Sequence, residues 1–241
     1  MRTATSRSRS ARRPGQPSGL RRGDPGVPFV DALDLADWRR RVWALYEPVR
    51  SLEARAARDA QSRALAAFRA GRDVLFREHP QSPIPPDERA SFGGCRYYPL
   101  DPALRFACDL VADGARERVE LPMSRDAGLR FQPLGHVVVP LPGGGVSLTV
   151  YWLDDYAGGL FLPFRDGTAG LETYAAGRYL WDSAKGADLG LHDGRLIVDF
   201  NYAYNPSCAY DPRWACPLAP PVNRLAVPIR AGERAPMGPP R

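Results

Sequence analysis

Residues 199–216 read DFNYAYNPSCAYDPRWAC, crowding aspartate, asparagine, tyrosine and cysteine into one short block. Soluble cores hold such residues only when each buried polar group finds a partner. The block is therefore either a heavily hydrogen-bonded corner or a site. In RLIVDFN, strand parity sets Leu196, Val198 and Phe200 on one face and Ile197, Asp199 and Asn201 on the other. If the first face is core, Asp199 and Asn201 form the polar floor of a pocket. Asp199 is then a candidate general base or hydrogen-bond orienter. Asn205, before Pro206, starts a turn and offers an amide to backbone or ligand. Cys208 is the candidate nucleophile, which requires a positive neighbour such as Arg178 or Arg213 to hold the thiolate. Seven residues separate Cys208 from Cys216, too many for a zinc knuckle, and no histidine lies nearby. The same spacing is open to a structural pair of thiols or a disulfide. No metal site is expected.

A second polar segment, 164–180, reads FRDGTAGLETYAAGRYL, with DGT and AAG as turn signals between short strands. Arg178 stands where a guanidinium clamps a carboxylate or phosphate in two-pronged fashion. The competing role is an internal ion pair with Asp166 or Asp199.

Two functional readings follow. In the first, the protein binds a small molecule and carries hydrolase-like activity. Asp166, Arg178, Asp199, Asn201, Asn205 and Tyr210 line its pocket, Arg178 engages an anionic group, and Cys208 is an outside candidate for covalent chemistry. In the second, the protein is a non-catalytic structural or interaction module, and those residues form a buried hydrogen-bond network. The sequence lacks a GxSxG elbow, a P-loop, a GxGxxG turn and an HExxH helix, so it gives no support to the enzyme classes built on them and names no cofactor. His79, His136 and His192 are scattered and read as surface or core residues.

The elements that position these residues fall into two parts. Asp34 is placed to cap a helix through Trp38, Val42, Trp43 and Tyr46, which Pro48 should interrupt. A second helix is expected over about 51–78, with Leu65, Phe68, Leu75 and Phe76 as its apolar positions, until HPQSPIPP stops it. Beyond residue 91 the pattern turns to β, with strands expected over 92–98, 104–111, 117–121, 130–141, 146–153, 160–165, 195–201 and 224–229. PGGG at 142–145 predicts a hairpin. Cys95 and Cys108 fall in these strands as small buried hydrophobes. The expected fold class is α+β: N-terminal helices followed by a mostly antiparallel sheet domain, as a sandwich or partly open barrel.

The chain of 241 residues divides into a basic tail over 1–28, a helical extension over 29–62, one β-rich domain over 63–233 and a loose end over 234–241. The net charge of +6 is concentrated at the start. Taking away the seven arginines that precede Asp24 leaves −1 for the rest. A nucleic-acid-binding fold needs a basic face of its own, which argues against that class. The tail has no apolar periodicity and should be disordered. No apolar stretch follows Arg12 and Arg13, so an export signal is not read there and a cytoplasmic location is expected.

GRYL at 177–180, DFNYAYNPSCAY at 199–210, CPLAPPVNRL at 216–225 and IRAGE at 229–233 resemble the motifs of one bacterial and archaeal family. It is known as domain of unknown function number 1684. SPI at 82–84, YYPLDP at 97–102 and FRDGTAGLETY at 164–174 fit it too, so the resemblance spans about 68–233. CPLAPP departs from the family's usual CPLPP by a change in one turn. The resemblance implies no established activity. Some members look secreted or lipid-anchored, which bears on the redox state of Cys208 and Cys216. The family's motif positions carried here are mostly polar and include Asp166, Thr168, Tyr174, Arg178, Asp199, Asn201, Asn205, Cys208, Tyr210, Cys216 and Asn223.

Overall fold

The computed structural model describes residues 29–236 apart from 54–55, 115–116, 126–127, 142 and 155–157. The tail expected over 1–28 lies outside the described residues.

Two helices lead into antiparallel sheets. Helix α1 spans Phe29–Arg50 and α2 spans Arg58–Glu78. The first begins earlier than the Asp34 cap suggests and runs through Pro48 into its last turn. A proline so near the C-terminal end removes one hydrogen bond. Packing outweighs that loss, because the next residue, Val49, is fully buried in the main core. Helix α2 starts later than expected, after a turn at 51–52. Its buried positions, Leu65, Phe68, Arg72, Leu75 and Phe76, recur at helical spacing and face the sheets.

Among the described residues nine strands follow. Strands β1 (Arg105–Cys108), β8 (Leu191–His192) and β9 (Arg195–Asp199) form a three-stranded antiparallel sheet in the order β1-β9-β8. Strands β2 (Leu110–Val111), β3 (Val119–Glu120), β4 (Arg130–Leu141), β5 (Gly144–Leu153), β6 (Leu160–Phe164) and β7 (Arg178–Asp182) form a six-stranded sheet. Its order is β2-β4-β5-β6-β7, with β3 also on β4. The expected hairpin joins β4 to β5, where Leu141 pairs with Gly144. Neither sheet closes into a barrel, and the α+β class holds. Two expected strands are absent. Residues 92–98 and 224–229 are irregular, with single bridges from Tyr97 to Glu233 and from Arg165 to Arg224. Cys95 therefore lies in an irregular segment, whereas Cys108 ends β1.

The main core gathers Val42, Tyr46 and Val49 from α1, Leu65 and Phe68 from α2, Val137, Leu148 and Val150 from the large sheet and Ile197 and Val198 from β9. A second cluster of Leu121, Phe131, Tyr151, Phe161 and Tyr179 covers the other face of the large sheet. Both faces of β5 are buried at its centre, so Thr149 and Tyr151 are as hidden as Leu148 and Val150.

Candidate functional site

The chain after β9 winds through short 3-10 turns at 200–202, 207–209 and 221–223. These turns leave many backbone groups outside any ladder, and buried groups of that kind need side-chain partners. The polar signature supplies them in three clusters and one thiol pair.

In the first cluster, Arg105 Nη1 donates to Asp199 Oδ2 at 3.0 Å. Asn201 reaches Asp199 Oδ1 through both its backbone N–H and its side-chain amide. The Asn201 amide also exchanges two hydrogen bonds with the backbone of Asp101. Asp199 and Asn201 thus come together as parity suggests, and what they grip is the segment entering β1. Burial raises the Asp199 pKa against the pull of Arg105.

The second cluster centres on Arg178, which is 1% exposed. Its Nη2 donates to Asp166 Oδ1 at 3.1 Å and to the Ile229 carbonyl at 2.9 Å. Its Nη1 donates to the carbonyls of Ala231 and Glu233. The other Asp166 oxygen accepts from Thr168 N, Thr168 Oγ1 and Ile229 N. Asp166 and Arg178 meet, and their shared object is the chain's own segment 229–233. Burial lowers the Arg178 pKa, with Asp166 opposing. Gly177, just before, sits at φ +102° with its Cβ position 2.5 Å from the Phe164 carbonyl oxygen, so no larger residue fits.

The third cluster shares Glu233. Arg72 Nη2 donates to Glu233 Oε2 at 3.1 Å, Asn205 N donates to the same oxygen, and Asn205 Nδ2 donates to Oε1. Burial raises the Glu233 pKa, whereas on Arg72 burial is outweighed by the Glu233 charge. These directions pull apart, and geometry decides. Both carboxylate oxygens accept from N–H donors, the pattern of an ionised group. Asn205 also borders a cavity of about 40 Å³ beneath α1, room for a water or two. Asp199 makes its contacts with Arg105 and Asn201, away from the Asp166, Arg178 and Glu233 group.

The thiol pair is different in kind. Cys208 N donates to Cys216 Sγ at 3.4 Å, which sets the two cysteines side by side. Tyr174 Oη lies 3.7 Å from Cys208 Sγ, while the Ser124 hydroxyl donates to the Trp214 carbonyl and accepts from Cys216 N. The Cys216 hydrogen bond, aided by Ser124 and Tyr174, pushes the Cys208 pKa down to about 6 against burial, while Cys216 is raised. Hydroxyl and thiol donors do the work assigned from sequence to an arginine. Arg178 is held by Asp166, and Arg213 pairs with Asp211 and reaches the Ser82 carbonyl.

Tyr210 stands at a cleft of about 380 Å³ lined by Ile84, Phe92, Gly93, Cys95 and Arg96 among others. Its ring meets Phe76 edge-on at 5.3 Å, and its hydroxyl lies 3.6 Å from Cys95 Sγ. Burial pushes the Cys95 thiol well up, the opposite of Cys208. Sequence reasoning missed Arg72, Arg105 and Glu233 as members of the polar frame. Arg72 had a signal, since it lies on the apolar face of α2 between Phe68 and Phe76. Among the described residues no group of histidine, cysteine and carboxylate side chains could hold a metal ion. No described helix is long and apolar enough to cross a membrane.

Together these features define an α+β domain whose irregular C-terminal half is tied down by buried polar clusters. The chain belongs to the family described as Protein of unknown function (DUF1684), whose model matches residues 90–234. It is similar to an uncharacterized protein of Haloarcula marismortui solved by solution NMR. The two are 37% identical with a TM-score of 0.55, over 73% of this chain and 95% of that one. No curated protein is a significant match.

Proposed function

We propose that this protein is a small-molecule-binding domain whose ligand seat is the cleft beside Tyr210, and that Asp166, Arg178, Asp199, Asn201 and Asn205 maintain its frame. The observation that carries this reading is the cleft itself. Its volume of about 380 Å³ suits a small ligand. Ile84, Phe92 and the Tyr210 ring give it an apolar wall, while the exposed Arg96 puts a positive charge at the same opening. Glu88 lines the cleft as well, so the ligand it fits is a small amphipathic molecule whose anionic group turns to the Arg96 side.

A second reading, a structural or interaction module without a ligand, is favoured by one observation. The Nη donors of Arg178 and the oxygens of Asp199 are taken up by the chain itself.

Anilinonaphthalene sulfonate, a fluorescent aromatic anion, separates the two. Gly93 lines the cleft and a Cβ there would meet nothing within 4 Å, so Gly93→Phe adds a ring at the cleft with no clash at Cβ. The cleft reading expects saturable binding to the folded protein, abolished by Gly93→Phe and weakened several-fold by Arg96→Glu. Binding unchanged in Gly93→Phe would overturn it.

A further inference from the structure

Cys208 and Cys216 are both buried, yet they are not isolated in an apolar wall as Cys108 is. They lie against each other, Cys208 N donating to Cys216 Sγ at 3.4 Å, and Tyr174 Oη lies 3.7 Å from the Cys208 sulfur. The backbone fixes this arrangement from both sides. Cys216 N donates to Ser124 Oγ, and Ser124 N donates to the Cys216 carbonyl, both at 2.9 Å. Cys208 itself sits in a 3-10 turn whose amide points at the partner sulfur. Two cavities flank that turn. Ser207 lines the small one, and Ala209 and Tyr210 line the cleft. Cys208 lies between them and is itself 4% exposed.

We infer that Cys208 and Cys216 are a dithiol that oxidises reversibly to an intrachain disulfide, with Cys208 as the attacking sulfur and hydrogen peroxide or a small hydroperoxide as the oxidant. The Cys208 thiolate attacks one peroxide oxygen. The S–O bond forms, the O–O bond breaks, and hydroxide leaves and takes up the thiol proton as water. Cys208 is then a sulfenic acid. Cys216 sulfur attacks Cys208 sulfur, the S–S bond forms, the S–O bond breaks, and the departing hydroxide leaves as a second water with the Cys216 proton. Two thiols are oxidised by two electrons and one peroxide is reduced to two waters. Two equivalents of a small thiol return the pair by exchange and leave as their own disulfide. The donors around Cys208 favour its thiolate, the reactive form, while Cys216 keeps its proton until it is needed.

The test uses the intact reduced protein. It is exposed to a few equivalents of hydrogen peroxide, blocked with an alkylating reagent and mapped by mass spectrometry. The expected product is a 208–216 crosslink that dithiothreitol reverses, formed at least tenfold faster than any modification of Cys95 or Cys108. In Cys216→Ser, dimedone should trap a sulfenic acid on Cys208. Tyr174→Phe should slow the first step several-fold and move the midpoint of its pH–rate profile upward, a readout that a merely structural tyrosine would not shift. Absence of the crosslink in the folded wild-type protein, or Cys208 reacting no faster than Cys108, overturns the inference.

Discussion

Arg72 on α2 and Glu233 near the C-terminus meet as a buried ion pair, Nη2 to Oε2 at 3.1 Å, with side chains 9% and 0% exposed. The pair joins the helical layer to the strand-like segment that Arg178 holds from the other side. Removing one partner strands a buried charge, which costs about 3–5 kcal/mol. Arg72→Met and Glu233→Gln should each destabilise by that order in urea unfolding. The double variant Arg72→Met with Glu233→Met should cost far less than the sum, because neither charge is then left unpaired. Additive losses would show that the two residues act separately.

Arg178→Lys tests whether the guanidinium fork itself matters. One ammonium point cannot reach Asp166 and the carbonyls of Ile229, Ala231 and Glu233 together. A loss of about 2–4 kcal/mol is expected from the unpaired buried groups. Amide exchange should accelerate at 229–234 while the β4–β5 hairpin stays protected. A lysine variant of wild-type stability with altered ligand affinity would return Arg178 to the role of ligand clamp.

The legible part of this fold was the part governed by periodicity. Leu65, Phe68, Leu75 and Phe76 carry helical spacing and are buried as that spacing requires. PGGG marks a hairpin because few other residues permit the turn, and β4 and β5 pair across it. Long-range polar pairing left fainter marks. Asp166 beside Arg178 was one of two partners, with Asp199, that the two polar segments offered. Arg105 for Asp199 and Arg72 for Glu233 lie 94 and 161 residues away, and no local rule reaches that far. Residues 92–98 and 224–229 have strand composition, but bends and a positive-φ glycine interrupt their pairing, so each makes a single bridge. Pro48 failed to break α1 because burial of Val49 decided the matter.

Gly232 in the AGE motif has a physical reason to be glycine. Its φ is +73°, and a Cβ there would lie 2.5 Å from the Ala203 carbonyl oxygen and 2.6 Å from that of Phe200. Both oxygens belong to backbone, so neither can swing aside. Its own carbonyl accepts from Tyr98 N at 3.0 Å. Gly232→Ala should cost about 2–4 kcal/mol, from positive-φ strain and steric overlap. Thermal unfolding measures it. Gly143→Ala is the control, since its φ of +96° carries the strain but its Cβ meets nothing within 4 Å. The difference between the two isolates the overlap with backbone.

The thiol pair gives stability a dependence on pH. The folded Cys208 pKa is pushed down to about 6 by the Cys216 hydrogen bond and its neighbours. A free thiol in the unfolded chain titrates near about 8.5. Between these values the folded state has released a proton that the unfolded state still binds, so stability rises with pH there. The contribution is fully present above the unfolded value and is lost as pH falls through about 6. Cys216 is shifted the other way, so beyond the ordinary thiol range its retained proton works against further gain. Urea unfolding of wild type and Cys208→Ser under a non-thiol reductant, at pH 5, 7 and 8.5, compares the two. The wild-type advantage should be smallest at pH 5 and grow through pH 7 to 8.5, whereas a constant difference would mean that Cys208 stays protonated in the folded protein.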